Sequence, residues 1–424
     1  MNLEQQNVVV RKLPKFRVNL NPRLVAILAS LLLFSLTIFF IEPITEWYLD
    51  RFYLKPGVIE TMGLNPKFET FQGSLLQRKA LKDPALFPLY GSSEMSMIFD
   101  YHPGKVFAGR PTGFQPYLVG KGGTQTIIQA LNLAALGDDL KGKKVAVFVT
   151  PQWYSPLGIQ QSTFGGNFSP LHAYEIMLDS KLSASVKQRI AFRILQFPDA
   201  VKDYPLLKAL LVANASSNRE AKLQRKLYYF PAKIELSALQ INDLSKSIYY
   251  LKKLPKKISQ ATNQASSSRL NKGIDWTDLR SKAIEEASEV TSKNRFGMLD
   301  SFYFEHIEPK LEERKGSDKK AKLFPSPEYE DLQILLDILG EKNAKPIVVI
   351  IPMNGPWYDY TEFPRSERTQ CYELLANIVR SHGFALADLS SHEYDKYYLR
   401  DPWHLAWEGW VDVDQALDEF YHNN

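Results

Sequence analysis

The chain has 424 residues, 23% of them charged, with 52 Lys and Arg against 47 Asp and Glu and a single cysteine. A lone thiol excludes an intramolecular disulfide and a cysteine-built metal site, so stability has to come from a hydrophobic core, which a chain of this length can bury. The formal charge of +5 falls to +2 once the five basic and two acidic residues up to Glu42 are set aside (52 − 5 = 47 against 47 − 2 = 45), and so balanced a remainder argues against a nucleic-acid binder.

Residues 24–41 carry no charge and are mostly Leu, Ile, Phe, Val and Ala. As a helix they cross most of a hydrocarbon layer of about 30 Å, so they read as a transmembrane anchor. Glu42-Pro43-Ile44-Thr45-Glu46-Trp47 follows, where a cleaved signal would show small residues, and the anchor is expected to be retained. Arg11, Lys12, Lys15, Arg17 and Arg23 precede it against Glu4 alone, whereas Glu42, Glu46, Asp50 and Arg51 follow it. The positive-inside rule then predicts a single-pass protein of the cell membrane, with residues 1–23 in the cytoplasm and residues 42–424 outside.

Past the anchor, strand-like runs at 88–90, 144–150, 346–352 and 385–389 alternate with helical patterns at 124–136, 328–339 and 365–382. The uninterrupted apolar runs within 145–149 and 347–351 suit strands covered on both faces, which predicts an α/β fold with a parallel sheet between helices. Pro88 removes a ladder donor and points to a strand end or an edge. Residues of about 170–325, rich in Lys, Leu, Ser, Ala and Glu at helical spacing, are expected to form a helical insertion, with 259–268 as its flexible linker. Cys371 lies on the apolar face of a predicted helix and is expected to be buried.

Two segments carry the chemistry. Gly91-Ser92-Ser93-Glu94 follows the first strand, where a tight turn and a helix start would expose a serine oxygen beside backbone N–H groups at the carboxyl edge of the sheet. The same serines would also serve as helix caps. Asp401-Pro402-Trp403-His404 lies near the other end, with a carboxylate and an imidazole three residues apart, close enough for one to orient the other. A hydroxyl, a base and an orienting acid are the minimum equipment for acyl transfer at neutral pH, provided the two ends meet. Gly120-Lys121-Gly122 lacks the spacing of a phosphate loop, and the seven histidines contain no i, i+4 pair, so no nucleotide, metal or other cofactor is expected. His102 is a pocket or loop residue. Trp153, Tyr154, Trp357, Tyr358, Trp403 and Trp407 either line a pocket or pack in the core. The lysine clusters at 252, 253, 256 and 257 and at 319, 320 and 322 suit an anionic polymer or lipid surface, or a solvated helix face.

The serine after the first strand and the Asp-x-x-His near the C-terminus resemble the SGNH hydrolase-like family. More closely, the chain resembles the DltD family of membrane-anchored D-alanyl transfer proteins of Gram-positive bacteria. That likeness covers the anchor, Leu89-Tyr90-Gly91-Ser92-Ser93-Glu94, Gly120-Lys121-Gly122-Gly123-Thr124-Gln125, Thr150-Pro151-Gln152-Trp153, Pro352-Met353-Asn354-Gly355 and Asp401-Pro402-Trp403-His404. The resemblance implies an SGNH-like sheet and a Ser93, His404 and Asp401 triad, with Ser92 as the reserve nucleophile. Where the family has its oxyanion glycine, Gly122 or Gly123 would offer a backbone N–H, or these glycines simply turn the chain into the next helix, and the Gln152 amide would donate to the oxyanion as an asparagine does. Glu94 is a candidate to recognise an alanyl amine. The implied activity is transfer of D-alanine to teichoic acid, in partnership with a membrane-bound acyltransferase and the D-alanyl carrier protein. A cell-surface thioesterase or esterase with the same triad, and a scaffold without catalysis, are the other two readings. Ser92 stands where the family has an aspartate, and the family's Gly-x-Asn-Asp block has no literal copy.

Overall fold

The computed structural model describes residues 21–55, 57–64, 73–96, 99–254 and 273–423. Its centre is a five-stranded, all-parallel sheet of β1 (Leu86–Tyr90), β2 (Gln115–Val119), β3 (Lys144–Val149), β4 (Lys345–Ile350) and β5 (Ala385–Asp388), in the order β2-β1-β3-β4-β5. The order reverses direction between β1 and β3, so the turns after β1, β2 and β3 open side by side at the carboxyl edge, where α/β sheets place their sites.

The alternation of side chains along the strands divides the interior in two. Val145, Val147, Val149, Val348 and Ile350 face one hydrophobic layer; Ala146, Phe148, Ile347, Val349 and Ile351 face the other. Helices Thr126–Ala135, Glu328–Glu341 and Arg365–Ser381 cover the first face, and helices Trp276–Val290 and Trp407–Asn423 the second. Each fully buried Val or Ile is worth about 1.5–3 kcal/mol over an exposed one, which is why these strands read as unbroken apolar runs. Cys371 is buried in the first layer, and burial pushes its thiol up to about 12.

Two expectations need correction. Pro88 lies inside β1, which is flanked by β2 and β3 and is no edge. β1 pairs with β2 along its whole length but meets β3 only at Leu89 and Tyr90, so the proline falls outside the β1–β3 ladder. The second strand, Gln115–Val119, was not expected. Pro116 and its shortness mask it, although Gly113 and Gly120 bracket it as turn residues do.

Between β3 and β4 the chain forms a series of helices, the longest Arg219–Lys252, of 34 residues. Lys256, Lys257 and residues 259–268 lie outside the described residues. Helix Pro22–Phe52 contains the one apolar stretch among the described residues long enough to cross a membrane, and that stretch is uncovered by the rest of the protein. Its later turns are bound in: Ile38, Ile41, Thr45 and Leu49 are buried, Arg78 bonds Glu42, and Lys79 reaches Glu46 and Asp50 at 3.0 and 2.8 Å.

Candidate active site

The turn after β1 is shaped by close backbone contact. Gly91 N–H donates to Val119 O at 3.0 Å, tying it to the end of β2. A Cβ on Gly120 would fall 2.2 Å from Gly91 O, so the two turns touch only because residue 120 has no side chain. Beyond Gly91, Ser93–Met95 makes one 3-10 turn in place of the expected helix start, which limits the dipole available there to a single turn.

The two serines point to different partners. Ser92 is 2% exposed; its Oγ accepts from Gly123 N–H at 3.1 Å and donates to Lys121 O at 3.3 Å. Its hydroxyl therefore braces the glycine turn. Ser93 is partly exposed and its Oγ lies 2.8 Å from His404 Nε2, across 311 residues of sequence.

The other half of the site is a tight loop. Asp401 Oδ1 accepts from the N–H groups of Trp403 and His404 at 3.0 and 2.9 Å, which leaves Oδ2 to face His404 Nδ1 at 2.7 Å. With Asp401 ionised, Nδ1 carries the hydrogen and Nε2 accepts from the Ser93 hydroxyl. The loop is held from outside. Leu399 and Leu405 form an antiparallel bridge, Asn354 N–H donates to Pro402 O at 3.0 Å, and Leu299 N–H donates to Arg400 O at 2.9 Å. The turn after β4 thus fixes the imidazole against the turn after β1. The Arg400 guanidinium lies 4.4 Å from the Phe99 ring centroid, and its Nε is 3.8 Å from Asp401 Oδ2.

The remaining candidates divide. Gly122 is exposed, and among the described residues neither its N–H nor that of Ser93 meets an acceptor. Gly123 N–H is already bonded to Ser92 Oγ, so the oxyanion expectation for Gly123 gives way to a bracing role. Gln152 sits half-buried in the 3-10 turn Pro151–Trp153 after β3, on the same edge of the sheet. Glu94 is 4% exposed and its Oε1 accepts from Ser92 N–H at 2.8 Å. Burial raises its carboxyl, with the Ser92 bond acting against that. It is a brace of the serine turn, and the amine-recognition expectation is corrected accordingly. His102 is wholly buried, donates from Nε2 to Glu94 O at 3.1 Å, accepts from Gly104 N–H at 3.0 Å, and burial depresses it to about 3. It is a neutral strut under the same turn. Tyr154, Trp357, Tyr358 and Trp407 are core residues; Trp153 and Trp403 are half-buried.

Sequence reasoning quoted Asn354 in the resemblance but gave it no role; its side chain caps helix Gly355–Tyr360 and donates to Phe296 O at 3.0 Å while its N–H holds the histidine loop. The Asn-Gly pair directly after a buried strand was the available signal.

The match to the DltD protein family spans residues 64–422. The DltD protein of Bacillus subtilis is 38% identical over 361 residues, covering 84% of this chain and 87% of that one. Those of Staphylococcus aureus and Lacticaseibacillus rhamnosus are 28% and 25% identical, covering 82% and 83% of this chain and 84% and 82% of theirs. Helix Pro22–Phe52, the parallel sheet and the similarity along nearly the whole remaining chain agree: this chain belongs to the DltD family.

Proposed function

We propose that the chain is a membrane-anchored acyl transfer enzyme of the outer cell surface that delivers D-alanine to teichoic acid. The observation that carries the chemistry is the 2.8 Å approach of Ser93 Oγ to His404 Nε2, with Asp401 on the opposite ring nitrogen at 2.7 Å. D-alanine and teichoic acid come from the family resemblance. In the proposed reaction His404 takes the Ser93 proton as Oγ attacks the carbonyl of a D-alanyl ester or thioester. The N–H groups of Ser93 and Gly122 and the Gln152 amide are the donors available to the oxyanion, and the imidazolium, stabilised by Asp401, returns its proton to the leaving group. A hydroxyl of the polyol phosphate then attacks the D-alanyl-serine ester, with His404 as base again.

A groove of about 320 Å³ adjoins the glycine turn, lined by Lys121, Asn167, Tyr204 and Lys246 among others, and its two ammonium groups suit a phosphate-bearing acceptor. Cytoplasmic residues 1–23, an outer catalytic domain and the 170–325 helical insertion complete the reading, with a membrane-bound acyltransferase as donor partner, since carrier charging with ATP belongs inside. The test is covalent labelling of the purified protein by a serine-directed fluorophosphonate, followed by peptide identification and by D-alanine ester measurement in cells carrying Ser93→Ala. Label on Ser93 and loss of the ester support the enzyme. Unchanged D-alanylation at normal protein level would favour a scaffold, and release of free D-alanine from an acyl donor in the presence of polymer would favour a hydrolase.

A further inference from the structure

A guanidinium that leaves water normally finds an acceptor inside the protein. Among the described residues, the buried or half-buried Arg78, Arg189, Arg193, Arg225, Arg280 and Arg368 each donate to a carboxylate or a carbonyl. Arg400 does not. Its side chain is 18% exposed, its Nε is shut off from solvent without an acceptor, and its nearest carboxylate, Asp401, stays 3.8 Å away. Its two terminal nitrogens also meet no acceptor among the described residues. Burial works against its charge, with Asp401 acting the other way.

This unpaired cation is held firmly, and beside the triad. Its N–H donates to His404 O at 3.0 Å and its carbonyl accepts from Leu299 N–H at 2.9 Å, so the backbone is fixed on both sides. The guanidinium lies 4.4 Å from the Phe99 ring centroid, a stacking contact that leaves the N–H edges of the plane free. From Nε a chain of contacts leads to Asp401 Oδ2 at 3.8 Å, from Asp401 to His404 Nδ1 at 2.7 Å, and from His404 Nε2 to Ser93 Oγ at 2.8 Å. A planar fork of donors matches a phosphate or carboxylate that accepts two bonds at once. Of the groups the proposed reaction brings to Ser93, the D-alanyl unit carries an ammonium, which a guanidinium repels. The polyol phosphate acceptor carries a phosphodiester close to each of its hydroxyls.

We propose that Arg400 binds a phosphodiester of the polyol phosphate acceptor through its guanidinium fork, and so decides which hydroxyl of the chain reaches the acyl-serine. Lys121 and Lys246 line the groove beside the glycine turn, and Arg400 supplies the cation on the histidine side. The inference rests on the acyl transfer reading, and its test separates the two.

Full-length protein in detergent is labelled at Ser93 by an uncharged fluorophosphonate while a soluble tris(glycerol phosphate) is titrated in. The quantity read is the oligomer concentration that halves the labelling rate, which a change in the basal rate does not move. Arg400→Gln should raise that concentration by about 10- to 100-fold. Arg400→Lys, which keeps the charge and loses the fork, should raise it severalfold, and it decides the matter should the glutamine variant not fold. Equal concentrations in parent and variants overturn the proposal; joined to a slower basal rate, they make Arg400 a positioning residue for Asp401 instead. Protection kept in full by Arg400→Lys reduces the effect to charge alone and overturns the fork. A parent that labels at Ser93 but is not slowed by the oligomer overturns the proposal and spares the nucleophile. Slowing by 4′-phosphopantetheine and not by the oligomer assigns the cation to an acyl donor and overturns it as well. A parent that does not label at Ser93 sinks the acyl transfer reading by itself. Calorimetric titration of the same oligomer into parent and Arg400→Gln then decides the phosphate site: weaker binding by the variant supports it, and equal binding overturns it.

Discussion

Replacing Asp401 with Asn tests the site without changing its shape. Asp401 is 2% exposed and its Oδ1 holds the N–H groups of Trp403 and His404; the amide oxygen of asparagine can keep both bonds, so the loop should survive. The change falls on the other atom. An NH2 group then donates to His404 Nδ1, the ring hydrogen moves to Nε2, and the face 2.8 Å from Ser93 Oγ becomes a donor that can no longer accept the serine proton. Loss of the correct tautomer in this kind of constellation costs a factor of about 10⁴ in turnover, or about 5 kcal/mol of transition-state stabilisation. The assay is the pseudo-first-order rate of fluorophosphonate labelling at Ser93, beside thermal unfolding. Labelling slowed by about 10³–10⁴ with stability within about 1 kcal/mol of the parent is the expected result. A rate within threefold of the parent in a folded protein would refute the assignment of His404 as the base. Asp401→Ala, by contrast, strands two backbone donors and should destabilise by about 1–3 kcal/mol for each, which separates orientation from folding.

Ser93→Ala should abolish labelling with little change in stability, whereas Ser92→Ala should keep a labelled Ser93 and lose about 1–2 kcal/mol through the Gly123 N–H; equal loss of labelling in both would mean that the nucleophile is misassigned. Gly120→Ala puts a methyl group against Gly91 O and should lower the unfolding midpoint and erase labelling together, and an unchanged melting curve would show that the two turns can part without cost. His102 is depressed to about 3 by burial, so the unfolded chain, with an ordinary imidazole near 6.5, takes up a proton that the folded one refuses. The stability of this linkage is fully present above the unfolded value and is lost as pH falls from 6.5 toward 3, by about 2 kcal/mol at pH 5. His102→Asn should remove that share of the acid sensitivity, read as a smaller difference in chemical-denaturation stability between pH 7 and pH 5 than in the parent, and an identical difference would count against a buried neutral imidazole.

What could be seen from sequence follows physical signals that act over short range. β3 and β4 announced themselves because both faces are buried and every residue from Val145 to Val149 is apolar. β2 did not, since Pro116 and a five-residue length leave too little pattern. The Asp401 and His404 pair was legible because a three-residue spacing is a local fact. Its distance to Ser93 was not, because that distance is set by Asn354 and Leu299 holding the loop from two other parts of the chain. Glu94 misled for the opposite reason: a carboxylate beside a nucleophile looks like a binding group until burial and the Ser92 N–H show what it is bonded to.

The helix Pro22–Phe52 and the long helix Arg219–Lys252 run parallel, with Ser237 Oγ donating to Ile38 O at 3.2 Å and Lys252 Nζ 5.8 Å from the Tyr53 ring centroid, and this pairing sets the height of the chemistry. Asp243 lines the groove beside the glycine turn and accepts from Leu75 N–H at 2.9 Å, so the long helix and the sheet domain are locked together there. It lies six residues past Ser237, about 9 Å along the helix from the level of Ile38. Arg78, bonded to Glu42 on the anchor and to Glu175 at 3.2 Å in the domain, adds a second rigid tie at the first charged residue past the uncharged stretch 24–41. On the proposed reading, with the helix Pro22–Phe52 in a bilayer and the catalytic domain outside, Ser93 works at a fixed height above the headgroups. An acyl donor presented at the membrane surface could reach it without a long linker, and a polymer growing outward from a lipid would pass the groove near its lipid end. Lengthening the stretch between Phe52 and Ser74 should then leave activity largely intact, because the helix contacts and not the chain connection hold the height; a steep loss on insertion of a flexible segment there would place the control in the connection instead.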